Sequence, residues 1–235
     1  MISFRYRFAD RTVEVHSLYE EVHHYCKDYR TDDPADFEVT ITQEDIDRER
    51  SGSVSASSSD AYLEELAVYR KISEIMPFHD TVLFHGSVIA VDGKAYMFTA
   101  SSGTGKSTHT ALWRKLFGDR AVMVNDDKPL IHISNITTAY GTPYNGKHRL
   151  SSNTGVPLKA ICILERDDEN HIEQISFKEA YSMLLQQVYR PNDVQALQKT
   201  LSLVDRLEGS VSFYRLGCNM DISAAQTAYD GMNRM

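Results

Sequence analysis

The chain opens on strict alternation. Ile2, Phe4, Tyr6 and Phe8 are apolar, while Ser3, Arg5 and Arg7 between them are polar, which is the period of a half-buried strand. After the short link Ala9-Asp10-Arg11, Val13 and Val15 keep the alternation through Thr12–His16, and a hairpin is expected. Ser17 and Glu20 have capping-box spacing. They would open a helix carrying Leu18, Val22, Cys26 and Tyr29 on one face. Phe37, Val39 and Ile41 mark a further strand. Residues 51–59 hold six serines in nine. So little to bury cannot offset the entropy of ordering, so a mobile surface loop is expected. Asp60 should then cap a helix with the stripe Tyr62, Leu66, Tyr69, Ile72 and Met76, stopped by Pro77. Both tyrosines are expected in the core.

From Thr81 the texture changes to short strands: Thr81–Phe84, Ser87–Val91 and Ala95–Thr99, with the hairpin signal Asp92-Gly93 between the last two. A glycine loop and a helix to about Phe117 follow. Further strands are expected at Ala121–Val124, Leu130–Ile133, Ile136–Tyr140 and Leu158–Leu164. The tail predicts helices over Phe177–Val188, with a capping box of Ser176 and Glu179, and over Asp193–Leu207. A strand over Val211–Leu216 and a last helix after Asp221 complete it. The pattern is that of an α/β protein. A small α+β section spans 1–76, Ser-rich loop included, and the main core spans 77–235.

Composition narrows the function. With 42 % hydrophobic and 25 % charged residues, the chain is an ordinary globular one, and disorder, collagen and coiled coil are excluded. A net charge of −8 lacks the basic footprint that nucleic acid or an anionic membrane requires. No apolar run approaches the roughly 18 residues of a membrane span, and the start Met1-Ile-Ser-Phe-Arg has no apolar core of a signal peptide. The three cysteines, Cys26, Cys162 and Cys218, are widely spaced, so reduced thiols and a cytoplasmic location are expected.

The most specific stretch is Ala100-Ser-Ser-Gly-Thr-Gly-Lys-Ser-Thr108. It fits G-x-x-x-x-G-K-[ST] with alanine at the first position, and it lies between a predicted strand and a predicted helix. Glycines let backbone N–H groups converge on phosphate oxygens, and the helix N-terminus adds positive potential. Ser102, Gly103, Thr104, Gly105, Lys106, Ser107 and Thr108 are therefore the expected nucleotide-binding residues. Lys106 would reach the β and γ phosphates of ATP, and the Ser107 hydroxyl would ligate Mg²⁺. Neither an N-K-x-D guanine motif nor an L-S-G-G-Q signature occurs.

Asp126 and Asp127 end an apolar strand only 20 residues beyond Lys106. Two carboxylates beside a triphosphate can divide the labour, one at the metal and one accepting a proton from the attacking hydroxyl. With His85-Gly86 placed 21 residues before Lys106, the set resembles the HPr kinase/phosphorylase family. Its loop and acidic pair are also similar to ATP-dependent phosphoenolpyruvate carboxykinase, which shares that nucleotide-binding core. Short HPr-kinase-related bacterial proteins carry similar stretches to Phe84-His-Gly-Ser87, Asn125-Asp-Asp-Lys-Pro129 and Gly141-Thr-Pro-Tyr-Asn-Gly-Lys147. The resemblance implies an HPr-kinase/carboxykinase-type core with a mixed β-sheet and flanking helices. It implies Asp126 as proton acceptor, Asp127 as its partner at the metal, and His85 beside the phosphates. No segment here matches that family's Glu-x-Arg-Gly, so phosphate removal is not implied. The chain also lacks the length of the carboxykinases.

Lys147-His148-Arg149 concentrates positive charge in an acidic chain, and Arg149 or Lys147 would stabilise a transferring phosphoryl group. Arg190-Pro191 reads as a turn between helices, and His23-His24 as surface. The expected activity is transfer of the γ-phosphoryl of ATP to a Ser or Thr hydroxyl of a protein or peptide. A kinase of small-molecule hydroxyls and a nucleotide-binding switch without transfer stand beside it as alternatives.

Overall fold

The computed structural model describes residues 1–52, 57–146 and 148–234. Residues 53–56 of the Ser-rich run, Lys147 and Met235 lie outside the described residues. Strands β1 (Ile2–Phe8) and β2 (Arg11–Ser17) form the expected antiparallel hairpin. Its two-residue turn puts Ala9 and Asp10 at φ of 48° and 60°, the left-handed pair that matches the twist of a hairpin. Strand β3 (Phe37–Thr40) adds to β2 in parallel. Helices α1 (Glu21–Tyr25), α2 (Gln43–Ser51) and α3 (Asp60–Ile75) complete this section. They bury Tyr6, Phe8, Val13, Val15, Ile46, Leu63 and Ile72 in one core.

Several local expectations need correction here. Ser17 does not cap α1, because the buried Glu64 carboxylate accepts the N–H groups of Leu18 and Tyr19 at 2.6 and 2.9 Å. Those amides are held outside any helix, and α1 is a single short turn. Leu18 is exposed as a result. Tyr62 is also exposed; Leu63 takes the inward position instead. The cap of α3 is Ser59, which accepts from the Tyr62 N–H, and not Asp60. His23 is half-buried between Tyr6 and Ser17 and not a surface residue.

Beyond residue 76 come β4 (Thr81–Leu83), β5 (Ser87–Val91), β6 (Lys94–Thr99), α4 (Lys106–Phe117), β7 (Ala121–Asn125), β8 (Leu130–His132) and β9 (Thr138–Tyr140). They are followed by β10 (Gly155–Arg166), β11 (His171–Ile175), α5 (Phe177–Gln187), α6 (Val194–Asp205), β12 (Ser212–Cys218) and α7 (Ser223–Asn233). The sheet runs β4-β8-β9-β10-β6-β5-β7, with β12 also beside β10 and β11 beside β12. Strand β10 makes the sheet mixed. Gly155–Pro157 pair antiparallel with β9, and from Ala160 onward the strand runs parallel to both β6 and β12. Its run Ala160–Leu164 is buried on both faces, as a strand flanked in parallel and covered by helices should be. Ile161 and Ile163 face the core shared with Leu184 of α5 and Leu203 of α6. Ala160, Cys162 and Leu164 face the core shared with Trp113 of α4 and Ala225 of α7. The fold is α/β, a large mixed sheet with helices on both faces and a small three-stranded α+β section. All three cysteines are free. Among the described residues no helix is long and apolar enough to cross a membrane.

Helix α2 is tied to α3 by charge. Asp45 closes a capping box with Thr42 and faces Lys71 at 2.6 Å and Arg70 at 3.2 Å. Burial pushes its carboxyl up, but the bonds from Lys71 and Thr42 outweigh that and bring it down to about 2. A carboxylate lowered on folding adds stability above its unfolded value, and loses it as pH falls through the folded value. Asp45→Asn should therefore cost about 1–2 kcal/mol at pH 7, after allowing for the solvent that reaches the pair. Urea denaturation should show the deficit shrinking as pH falls from about 4 toward 2.

Candidate functional site

The glycine loop leaves β6 at Thr99 and enters α4 at Lys106. Gly105, the residue before the helix, has φ +126°, and Gly103 has φ +77°. Side chains rarely adopt such values. No atom stands within 4 Å of where a Cβ would sit at either position. Thr104 closes the turn by donating both its N–H and its hydroxyl to the Ser101 carbonyl. Lys106 is 7 % exposed and donates to the Ala100 carbonyl at 3.0 Å. Burial lowers its ammonium below the ordinary lysine value, and the Asp127 charge partly restores it.

The acidic pair sits where β7 ends, and the turn there is built by Asn125. This side chain is fully buried. Its Oδ1 accepts the N–H groups of Asp127 and Lys128 at 2.9 and 2.7 Å. Its Nδ2 donates to the Thr142 carbonyl and hydroxyl, both at 3.1 Å. Segment 142–146 is thereby held against the turn, and the Gly146 N–H reaches Oδ1 of Asp126 at 2.6 Å. A Cβ at Gly146 would come within 3.2 Å of Asp126 Oδ2, so glycine permits this close approach. Asp126 is 3 % exposed, and its Oδ2 has no hydrogen-bond partner among the described residues. Burial first, and the neighbouring Asp127 charge with it, raise its carboxyl above the ordinary value against the pull of the Gly146 N–H.

Asp127 is shifted the other way. Burial pushes its carboxyl up, but the His85 hydrogen bond and charge, then Lys128 and Lys106, prevail and hold it below the ordinary value. Its Oδ1 lies 3.3 Å from His85 Nε2, a charge pair when the ring is protonated. His85 leaves the end of β4, and its Nδ1–H donates to Oε1 of Gln187 at 2.8 Å. The main chains join too, His85 N–H donating to the Gln187 carbonyl and Gly86 N–H to the Asp127 carbonyl.

His85, Ser102, Gly103, Gly105, Lys106, Ser107, Thr108, Asp126 and Asp127 line one cleft of about 710 Å³, together with Gly146 and His148. The residues singled out in the sequence thus meet around one space, with two exceptions. Thr104 turns to the other side of the loop, among the residues of a second cavity. Arg149 also lies elsewhere. Its φ is +51°, and it lines a separate cavity with Tyr25, Glu65 and Arg30, whereas His148 stands at the cleft. Arg190 is exposed and lines none of these spaces. Gln187 and Gly146 escaped the sequence reading because both reach the site across long separations. The only sequence sign was Gly146 within the turn-rich run 141–147.

The family model of the SynChlorMet cassette protein ScmC matches residues 58–208, a span that holds the glycine loop, both aspartates, His85 and Gly146. No curated protein matches the chain. Among solved structures the chain is similar to the Hpr(Ser) kinase/phosphatase from Coxiella burnetii, at 13 % identity over 53 % of this chain and 90 % of that one, with a TM-score of 0.30.

The turn makes a direct prediction. Asn125→Asp keeps the size, but sets carboxylate oxygens against the carbonyls of Thr142 and Tyr144. An unpaired charge in a fully buried place should cost about 3 kcal/mol of stability. Urea denaturation at pH 7 measures it.

Proposed function

The chain belongs to the family of the SynChlorMet cassette protein ScmC, and we propose that it is a phosphotransferase that uses ATP with Mg²⁺ and delivers the γ-phosphoryl group to a hydroxyl. The observation that carries this reading is the convergence of Lys106, Ser107, His85, Asp126 and Asp127 on one cleft at the mouth of a glycine loop. The chain's own groups fit such a ligand. The loop faces open space at Gly103 and Gly105, and Oδ2 of Asp126 is a buried acceptor without a donor among the described residues. Among the described residues no three His, Cys, Asp or Glu side chains gather as a metal cluster. Ser107 and Asp127 would hold Mg²⁺, a hard cation that prefers oxygen ligands such as theirs. The ion supplies neutralisation of charge on the phosphates.

Each residue then has a distinct task. The N–H groups of the loop and of the first turn of α4 bind phosphate oxygens. Lys106 gives up the Ala100 carbonyl and places its charge on the transferring group, where charge compensation counts most. His85, fixed by Gln187, adds a second donor beside Asp127 when its ring is protonated. Asp126 accepts the proton of the acceptor hydroxyl on Oδ2 as the new O–P bond forms and the bond to the leaving diphosphate breaks. Gly146 keeps Asp126 aimed through Oδ1. A Ser or Thr of a protein or peptide is the acceptor that the resemblance to HPr kinases suggests, and a small-molecule hydroxyl meets the same chemistry.

Mg·ATP at 100 times its Kd should stabilise the fold by about 2.7 kcal/mol, readable as a rise in Tm. The absence of any rise in a well-folded sample would overturn the reading. In a γ-³²P transfer assay on lysate, Asp126→Asn should lose about 10²- to 10⁴-fold in rate while its ATP-induced Tm shift persists. Transfer at the wild-type rate would remove Asp126 from the mechanism. ATP binding without transfer to any acceptor would favour the nucleotide switch.

A further inference from the structure

The glycine loop has two sides. Gly103, Gly105 and Thr108 line the cleft just described and also a second cavity of about 450 Å³. This second space is walled by Leu112 of α4, Leu164 of β10, Cys218 at the end of β12 and Met220 beyond it. Arg166 braces the loop between the two spaces, its guanidinium donating to the carbonyls of Gly103 and Thr104. Glu165, Asp167 and Asp168 stand at the same cavity, and Lys106 only at the first, where the helix N-terminus also lies. The lysine side suits an anion, and the acidic, apolar side suits a neutral planar group.

His109 also lines the second cavity, and it is 3 % exposed. The indole N–H of Trp113 donates to its Nε2 at 3.0 Å. An N–H can donate there only to a lone pair, so the ring is neutral and its single proton sits on Nδ1. That Nδ1–H is buried, and no described residue accepts from it. Buried donors are nearly always paired, and one left open beside a cavity calls for an acceptor that the described residues do not provide.

We propose that this cavity receives the heterocyclic base of the nucleotide, with Nδ1–H of His109 donating to a ring nitrogen or carbonyl oxygen of the base. The inference rests on the phosphotransferase reading for its phosphate end, and adds the site that recognises a nucleoside over bare polyphosphate. Leu112, Leu164 and Met220 supply the apolar surface against which the base lies. Trp113, the single tryptophan of the chain, is bonded to the recognising histidine and reports on it.

Titration calorimetry with Mg²⁺ should compare ATP and tripolyphosphate on the wild type and on His109→Phe. ATP should weaken about 3- to 10-fold in the variant, the loss of one hydrogen bond, while tripolyphosphate should bind unchanged. In the wild type, ATP should alter Trp113 fluorescence and tripolyphosphate should not. Because His109→Phe can disturb the packing of α4, photolabelling of the wild-type protein with 8-azido-ATP provides an independent arm. Label within 108–113, 164–168 or 216–220 supports the inference. Label elsewhere overturns it, as does equal binding of ATP and tripolyphosphate by the wild type. Binding of neither ligand would instead overturn the phosphotransferase reading, and this inference would fall with it.

Discussion

A single buried amide holds the site together. Asn125 has no exposed surface, yet both polar atoms of its side chain have partners. Its oxygen takes two N–H groups of the acidic turn, and its nitrogen binds the backbone of segment 142–144. A buried amide with these bonds made stabilises only modestly, but with any one missing it costs the full desolvation of the orphaned group. The arrangement therefore permits little drift. Asp126 and Asp127 occur where they do because β7 must end in this turn, and Gly146 meets Asp126 because the same amide brings its segment back.

The constraint extends into the N-terminal section. Tyr144 lies flat on Tyr69 of α3, with ring centroids 3.8 Å apart and planes 12° from parallel, and edge-on to Tyr25 and Phe8. The Tyr69 hydroxyl donates to the Lys128 carbonyl at 2.8 Å, one residue past the acidic pair. Leu130 and Tyr144 are members of the same apolar core as the β1–β2 hairpin and α3. Burial of aromatic rings is the largest apolar gain a residue can bring. Here that gain is spent on fixing the floor of the acidic turn. The small section is thus a support for the cleft, although none of its described residues lines the cleft.

Periodicity carried most of the fold. The alternation in β1, β5 and β6, the capping box of α5 and the hairpin turns at Ala9-Asp10 and Asp92-Gly93 are local facts of sequence, and local physics decides them. Helix α2 was not legible because Gln43–Ser51 is almost wholly charged and polar, with Ile46 its one buried apolar residue. Its order comes from Asp45 and Glu49 bonding Arg70 and Lys71 of α3. Strand β11 was missed for a similar reason. Only Ile175 of its five residues is buried, and pairing with β12 is what defines it. The site divides in the same way. The glycine loop and the aspartates are contiguous in sequence and could be read there. Gln187, which orients His85, stands 102 residues away. Arg149 was misplaced because a run of basic residues says nothing about where the chain turns, and the left-handed backbone at Arg149 sends it toward Tyr25 and Glu65.

The chain of contacts from α5 gives the cleft a second anchor, independent of Asn125. Gln187 is the last residue of α5, and its carbonyl and side chain both bind His85. Val188, just beyond, bridges to Phe84, and Tyr189 N–H donates to the Leu83 carbonyl. The end of α5 therefore runs beside β4 as an extension of the sheet edge and fixes the backbone from which His85 projects. His85 in turn faces Asp127. The two aspartates are thus held by different parts of the molecule: Asp126 through Gly146 and the tyrosine stack, Asp127 through His85 and α5. Adjacent in sequence, the two carboxylates have different neighbours, Gly146 at Asp126 and His85 at Asp127, on a turn that the Asn125 amide anchors for both.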